Sequence, residues 1–258
     1  RTFVLSYEKL AVVFVGHIMQ GDSTFFLIQE QGKSCNAFSL SKTGQIFHCL
    51  PDAYTDKKER LVKLMADFFS CRQNHELYNI VGEEKGTELI KQAIHLALHR
   101  TTKHNQHYIL LEKQSPIQPP QPRTESITIV HCTPSMIDDL LPLQLAYEKE
   151  EIQWKDGSID QKVTRLTLLH TLRSQQVFAL VKHGAYIAKG GTNARGKKYV
   201  QLGGIYTIPS ERRKGYAAEL LYHAMNELQA QGKKIVLFAK PDNTPALHLY
   251  QSCGFVHI

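Results

Sequence analysis

A chain of 258 residues fits one large domain or two ordinary ones. Apolar residues make up 42% and charged residues 21%, a globular balance that excludes a disordered or collagen-like chain. The longest apolar run, Leu10 to Val15, falls far short of the roughly 18 residues of a membrane span. The net charge of +7 and pI near 9.1 would suit a polyanion, yet Lys and Arg are spread along the chain without the dense runs of a basic tail. An anionic, phosphate-bearing ligand held at a local site uses the same charge, and nucleic acid is the lesser expectation. The five cysteines are scattered and odd in number, with no Cys-x-x-Cys pair, so reduced thiols are expected rather than a disulfide frame or zinc ribbon. Nothing resembles a secretory signal, and the expected setting is cytoplasmic, with no membrane partner; the sequence opens at Arg1 rather than Met.

In the first half, Val12 to Val15, Phe25 to Gln29 and Gln45 to Cys49 are apolar or alternating runs that read as strands of a small sheet. Asp56 to Ser70 and Thr87 to His99 carry apolar residues at helical spacing, and His107 to Glu112 reads as a closing strand. Four histidines lie in or after that second helix (His95, His99, His104, His107), but His95 and His99 share a face with Glu88, Lys91 and Gln92, a polar helix face that favours a solvated surface over a metal site, and no metal is expected. Gln114 to Pro122 holds four of the ten prolines and reads as a semi-rigid linker. The expected domains are therefore 1–113, a smaller α+β body, and 123–258.

The second half opens with a strand, Ile127 to His131, and Thr133-Pro134 as cap and first turn of a helix, Met136 to Glu151. A second helix covers about Asp160 to Ser174. Val177 to Val181, Ala185 to Thr192 and Lys198 to Ile208 are β-rich runs joined by short Gly-containing turns, which predicts antiparallel pairing. Arg213 to Gln231 repeats apolar residues on one helical face, Lys234 to Ala239 is a buried strand, Pro245 to Ser252 a short helix, and Phe255 to His257 begins another strand. No internal repeat is visible.

Chemistry concentrates at Arg212-Arg213-Lys214-Gly215-Tyr216-Ala217, between an apolar strand and a helix. A helix start exposes unpaired N–H groups and the positive end of the macrodipole, and Gly215 lets a phosphate approach the main chain. A basic first turn with one Gly also occurs as plain surface; its context points further. Gln201-Leu202-Gly203-Gly204-Ile205-Tyr206-Thr207 precedes this turn, and Asn243-Thr244-Pro245-Ala246-Leu247-His248-Leu249-Tyr250 followed by Cys253-Gly254-Phe255 lies downstream in the right order. Together these stretches resemble the GNAT superfamily of N-acetyltransferases over about residues 126 to 258.

That resemblance implies an α+β fold, a mixed sheet flanked by helices. It also implies acetyl-CoA as cosubstrate, bound in a splay between the strand ending at Thr207 and the strand Lys234 to Ala239. The Gly203-Gly204 pair suits the bulge that opens such a gap. The main chain of Ile205, Tyr206 and Thr207 would pair with the pantetheine arm, and the pyrophosphate would sit on Arg212, Arg213, Lys214, Gly215, Tyr216 and Ala217. Asn243 would contact the cofactor, or act as a plain turn residue. Tyr250 would donate a proton to the departing thiolate, for which a phenol of pKa about 10 is a good neutral donor. Alternatively Tyr250 packs, since it shares a helix stripe with Leu247.

Two departures from the family pattern stand out. Many members place a Glu on the strand matching Lys234 to Ala239, and this sequence has none, so the general base is sought among Glu148, Glu150 and Glu151 at the end of the first helix, with Glu148 and Glu151 the candidates, or in a water chain. The chain also ends three residues after Phe255, where the family continues through a further strand pair, so part of the acceptor wall is absent or comes from the first half. That first half resembles the degenerate N-terminal copies of two-domain GNAT proteins, but no motif residue matches there and no catalytic residue is assigned. The expected activity is acetyl transfer from acetyl-CoA to an amine, a small molecule or a peptide. The rival readings are a non-catalytic acyl-CoA-binding sensor or interaction module and, on charge alone, a nucleic-acid binder.

Overall fold

The computed structural model describes residues 7–9, 11–20, 23–30, 33–116, 119–120, 126–152 and 159–258, and the chain divides into two compact units, Arg1–His107 and Tyr108–Ile258. The architecture is mixed α+β, as the sequence predicts.

The first unit begins with a helix, α1 (Val12–Gln20), followed by strands β1 (Ser23–Glu30), β2 (Lys33–Ser41) and β3 (Gln45–Cys49). These three pair as an antiparallel meander. Helix α2 (Lys58–Ser70) then crosses to a short strand β4 (Asn79–Val81) that runs parallel to β3, and α3 (Glu84–Leu98) follows. Side chains alternate across the sheet with period two. Phe38, Leu40 and Ile46 join Leu61, Met65, Phe69, Ile90 and Ala93 in one cluster, whereas Ala37, Phe47 and Cys49 join Phe14 and Val15 of α1 in another. The run Val12 to Val15, expected as a strand, is thus helical. A short β-branched run carries no decisive period, and here burial of Val12, Phe14 and Val15 on the sheet overrides propensity.

The second unit is a seven-stranded sheet in the order β11-β5-β10-β9-β8-β7-β6. Its strands are β5 (Ile109–Lys113), β6 (Ile127–His131), β7 (Val177–Lys182), β8 (Ala185–Arg195), β9 (Tyr199–Thr207), β10 (Lys234–Ala239) and β11 (Phe255–His257). Strands β6 to β9 pair antiparallel, β10 runs parallel to β9, and β5 lies antiparallel to both β10 and β11. Helices α4 (Ile137–Tyr147) and α5 (Gln161–Ser174) connect β6 to β7; α6 (Tyr216–Ala230) crosses from β9 to β10, and α7 (Thr244–Ser252) leads to β11. Val177 and Ala179 pack with Leu140, Leu168 and Leu172 of α4 and α5, while the alternate residues Phe178 and Leu180 pack with Tyr216, Leu220 and Ala224 of α6. The sheet is covered on both faces.

Two sequence expectations change here. The strand read at His107 to Glu112 does not close the first body: Ile109–Lys113 is inserted between β10 and β11 of the second sheet. The proline-rich stretch after it therefore joins two strands of one sheet rather than two bodies, and the division falls at His107 rather than residue 113. From β5 to β6 is five strand spacings, about 24 Å at about 4.8 Å each, within the roughly 28 Å that nine extended residues reach. Gln114 and Ser115 donate to the carbonyl of Gly254, while residues 117, 118, 121 and 122 of that stretch lie outside the described residues.

Candidate active site

The parallel ladder between β9 and β10 runs from Tyr199/Lys234 to Leu202/Leu237 and stops there. Beyond it β9 continues for five residues, Gly203 to Thr207, and β10 for two, Phe238 and Ala239. This is a splay between parallel strands, and its cause is local. Gly204 has φ +60°, and on β9 two residues, Gly204 and Ile205, oppose the single Gly190 of β8, so β9 carries a bulge. A Cβ at Gly203 would lie 2.0 Å from the Nδ2 of Asn193, so a side chain there would force Asn193 to move. Past the bulge the outer edge of Ile205, Tyr206 and Thr207 has no pairing to β10, and the Oγ1 of Thr207 is buried without a hydrogen-bond partner among the described residues. An unpaired strand edge with an orphaned polar atom is a place for an extended ligand carrying amide groups.

A 3-10 turn, Pro209–Glu211, follows β9, and the chain reaches α6 through Arg213 at φ +62° and Gly215 at φ +82°. Gly215 caps α6 with no side-chain hydrogen bond, so no cap side chain takes up the first N–H groups of the helix, at Tyr216 and Ala217. The basic residues here differ in what they do. Arg212 turns back, its Nε donating to the Thr207 carbonyl at 2.9 Å and its Nη2 to Glu150 at 2.6 Å. Lys214 pairs with Glu211 at 3.1 Å, a carboxylate shared with Lys182, whose Nζ lies 3.0 Å from the buried Tyr216 hydroxyl. The Arg213 side chain is exposed.

The acidic residues at the end of α4 are not a solvated helix end. After Tyr147 the helix widens into a π turn, Glu148–Ile152, which fans the carboxylates apart. Glu148 accepts from Gln144 at 2.8 Å and from the buried Thr164 hydroxyl at 2.5 Å. Glu150 accepts from the Tyr206 hydroxyl at 2.7 Å and from Arg212. Burial works against its charge, but these two hydrogen bonds and the guanidinium hold its carboxyl below the usual range. Glu151 takes Lys240 on its carbonyl at 2.6 Å and on its carboxylate at 3.4 Å, and Asn243 Nδ2 lies 3.5 Å from its other oxygen. One acidic turn therefore reaches both arms of the splay.

Asn243 is also the N-cap of α7, its Oδ1 accepting from the Ala246 N–H at 3.2 Å. Tyr250, about two turns further along α7, is 9% exposed and packs edge-on to Phe255 in the cluster that holds Leu202, Leu237 and Ala239. Burial first, then the neighbouring Tyr147 and Glu151, raises its pKa and keeps it protonated. Its hydroxyl has no hydrogen-bond partner among the described residues. Tyr147 is likewise pushed up to about 12 by burial, with Glu151 the next cause.

The sequence reading missed Lys189, Tyr147 and Lys240. The visible signal for Lys189 was a lone charge inside the apolar run of β8, beside Gly190 and Gly191.

Residues 143–255 match the acetyltransferase (GNAT) family. This segment is a GNAT acetyltransferase domain. An acetyltransferase from the GNAT family of Colwellia psychrerythraea is similar over 99% of this chain and 93% of its own, at 13% identity and a TM-score of 0.57. A Drosophila protein is similar over 92% of this chain and 76% of its own, at 12% identity and a TM-score of 0.58. These are likenesses of fold, and they extend through both units. A GNAT-family protein from Novosphingobium aromaticivorans is 20% identical with a TM-score of 0.45 over 58% of this chain, which spans 59% of that protein's length. No curated protein matches the sequence. The GNAT domain assigns the chemistry to acyl transfer. Among the described residues no helix is long and apolar enough to cross a membrane.

Proposed function

We propose that the GNAT domain transfers an acetyl group from acetyl-CoA to the nitrogen of an amine. The observation that carries this reading is the splay between β9 and β10, opened by a glycine bulge and leading directly into an uncapped helix start at Gly215. The edge of Ile205, Tyr206 and Thr207 that is not paired with β10, with the Thr207 carbonyl taken by Arg212, suits the amide-bearing pantetheine arm as an added strand would. The N–H groups of Tyr216 and Ala217 suit the pyrophosphate, with Arg213 and Lys214 adding positive charge and Arg212 reaching it once it leaves Glu150. Asn243 lines the other arm.

Acetyl-CoA supplies an activated carbonyl and a thiolate leaving group of pKa about 8.5. The chain's part is to place the acceptor and move two protons. Tyr250 holds a proton at its Oη, kept there by burial, and gives it up as the C–S bond breaks. A carboxylate of the acidic turn accepts the proton that the attacking nitrogen loses. Glu151 is the first choice, because its charge acts on both Tyr147 and Tyr250, and Glu148 is the second, held by Gln144 and Thr164.

A thiol-release assay over small amines, polyamines, amino acids and peptides tests the reading. Turnover with at least one amine is expected. Tight binding of CoA with no thiol release from any acceptor would favour the non-catalytic sensor, and no binding of CoA would remove both.

A further inference from the structure

Lys189 lies in the middle of β8, opposite Tyr206, and is 4% exposed. Burying an ammonium is costly unless it is well paired, and a strand interior is served equally well by an apolar side chain. The contacts of Lys189 show what the charge is for. Its Nζ donates to the carbonyl of Gly204 at 3.2 Å, the residue whose positive φ makes the bulge, and stands 4.7 Å from the ring centroid of Tyr147. The titratable groups facing it are Glu148 from the acidic turn and the thiol of Cys132, from the segment after β6, which burial pushes up to about 12 and keeps protonated.

We propose that Lys189 is a positioning residue for the acyl-CoA site, tying the Gly204 carbonyl into the sheet so that the main chain of Ile205–Thr207 is held outward into the splay. The proposal rests on the acetyl-CoA reading above and adds to it the group that fixes the cofactor-facing edge. Two adjacent glycines, one at positive φ, give β9 little resistance of its own to local rearrangement. A charged donor to the bulge carbonyl supplies that resistance, and its place over the Tyr147 ring, in the field of Glu148, links the end of α4 to the same point. Burial lowers the pKa of Lys189 to about 8, with Glu148 opposing, so the donor weakens at mildly alkaline pH.

The test compares Lys189→Met, which keeps the volume but loses charge and donor, with Lys189→Arg, which keeps both. Hydrogen exchange at the amides of residues 203–207 in the ligand-free protein reads the bulge whatever the ligand. At least tenfold faster exchange is expected in Lys189→Met, with most of the protection kept in Lys189→Arg. Calorimetry with acetyl-CoA should show affinity reduced about 10- to 100-fold in Lys189→Met at pH 7, the loss of one charge-assisted hydrogen bond. Wild-type affinity should fall between pH 7 and 9 and that of Lys189→Arg should not, a pattern that simple loss of packing does not produce. Thermal melting checks that the variants are folded. Failure of the wild type to bind acetyl-CoA would overturn the cofactor reading, and exchange would then decide the role of Lys189 in the bulge alone. Exchange at 203–207 unchanged in Lys189→Met, or affinity unchanged where the wild type binds, overturns the proposal.

Discussion

The two units share one run of elements and fill the opening between its parallel strands differently. Each has an antiparallel meander, a proline-led 3-10 turn, a crossover helix, a parallel strand and a further helix: β1-β2-β3-α2-β4-α3 in the first, β7-β8-β9-α6-β10-α7 in the second. In the second unit the residue after the last parallel pair on the first strand is Gly203, and nothing from its own side chain fills the opening. In the first unit the corresponding residue, one past the Phe47/Val81 pair, is His48. Its ring lies against Gly82 and Gly86, where an added Cβ would meet it at 2.2 and 2.6 Å, and its Nε2 hydrogen-bonds Thr87 at 2.9 Å. The opening between β3 and β4 is filled by the protein itself.

The helix starts differ in the same sense. Gly215 precedes α6 in a left-handed conformation, whereas Lys57 precedes α2 in a right-handed one, and Asp52 of the preceding turn is fixed by the Asn36 amide at 2.8 Å. A carboxylate beside a helix start opposes an incoming phosphate. The lesson is that this arrangement of strands and helices permits a cofactor site without providing one. On the proposed reading, a glycine bulge and an uncapped glycine turn would supply it in the second unit, where His48 and Asp52 fill the matching positions of the first.

The largest effect should come from Gly215→Glu, which puts a negative side chain at positive φ where the pyrophosphate would lie. Affinity for CoA should drop by more than about 10³-fold, since both the space and the sign of the field are lost. Lys57→Glu, at the matching helix start of the first unit, should leave it unchanged. Calorimetry on both, with melting curves to show that each is folded, separates the two starts; equal affinity in Gly215→Glu and wild type would break the comparison.

Tyr250→Phe retains the ring against Phe255 and removes only the hydroxyl. Turnover on an accepted amine should fall roughly 10²- to 10⁴-fold while acetyl-CoA affinity stays nearly constant. Wild-type turnover in this variant, measured where chemistry limits the rate, would return Tyr250 to a packing role. A smaller loss, about 10- to 100-fold, is expected for Glu151→Gln, with the acidic limb of the pH–rate profile displaced; an unaltered profile would move the base to Glu148 or to water.

How far the sequence could foresee this depends on range. The bounds of β3, β10 and β11 follow from apolar runs between turn residues, and the glycine turn into α6 from a basic stretch ahead of an amphipathic helix. The place of β5 could not be read that way. An Ile-Leu-Leu-Glu-Lys strand looks the same whether it closes the nearest sheet or pairs with strands more than 120 positions away, and only the partners in space decide. Strand β2 does not stand out because Lys33–Ser41 carries three serines and an asparagine; Asn36 bonds Asp52 and Ser41 bonds Thr43, while the buried Ser39 hydroxyl has no partner among the described residues. The tie between the acidic turn and both splay arms, Glu150 to Arg212 and Glu151 to Lys240, spans 62 and 89 positions and leaves no local pattern. His48 read as an ordinary strand residue for the same reason, since Gly82 and Gly86 give it meaning only once folded.

The smallest effect concerns that histidine. It is 2% exposed, and burial lowers its pKa from 6.5 to about 4, with Glu83 opposing. Its Nδ1 has no partner among the described residues, so a second proton there would be buried without an acceptor. The sign follows from proton counts: between about pH 4 and 6.5 the unfolded chain binds the proton and the folded one does not, so stability rises with pH across that window. The contribution is complete above about pH 6.5 and is lost as pH falls towards 4, at up to about 1.4 kcal/mol per pH unit. Native-state hydrogen exchange of the α3 amides, corrected for intrinsic rates and taken between pH 7 and 4.5, should report this loss in the wild type. His48→Gln, which fills much of the same space without titrating, should flatten it. The GNAT domain, whose corresponding position is Gly203, should show no such step in its own β9 and α6 amides. If wild type and His48→Gln decline alike with acid, the imidazole is not what closes the first opening, and the contrast between His48 and Gly203 loses its physical basis.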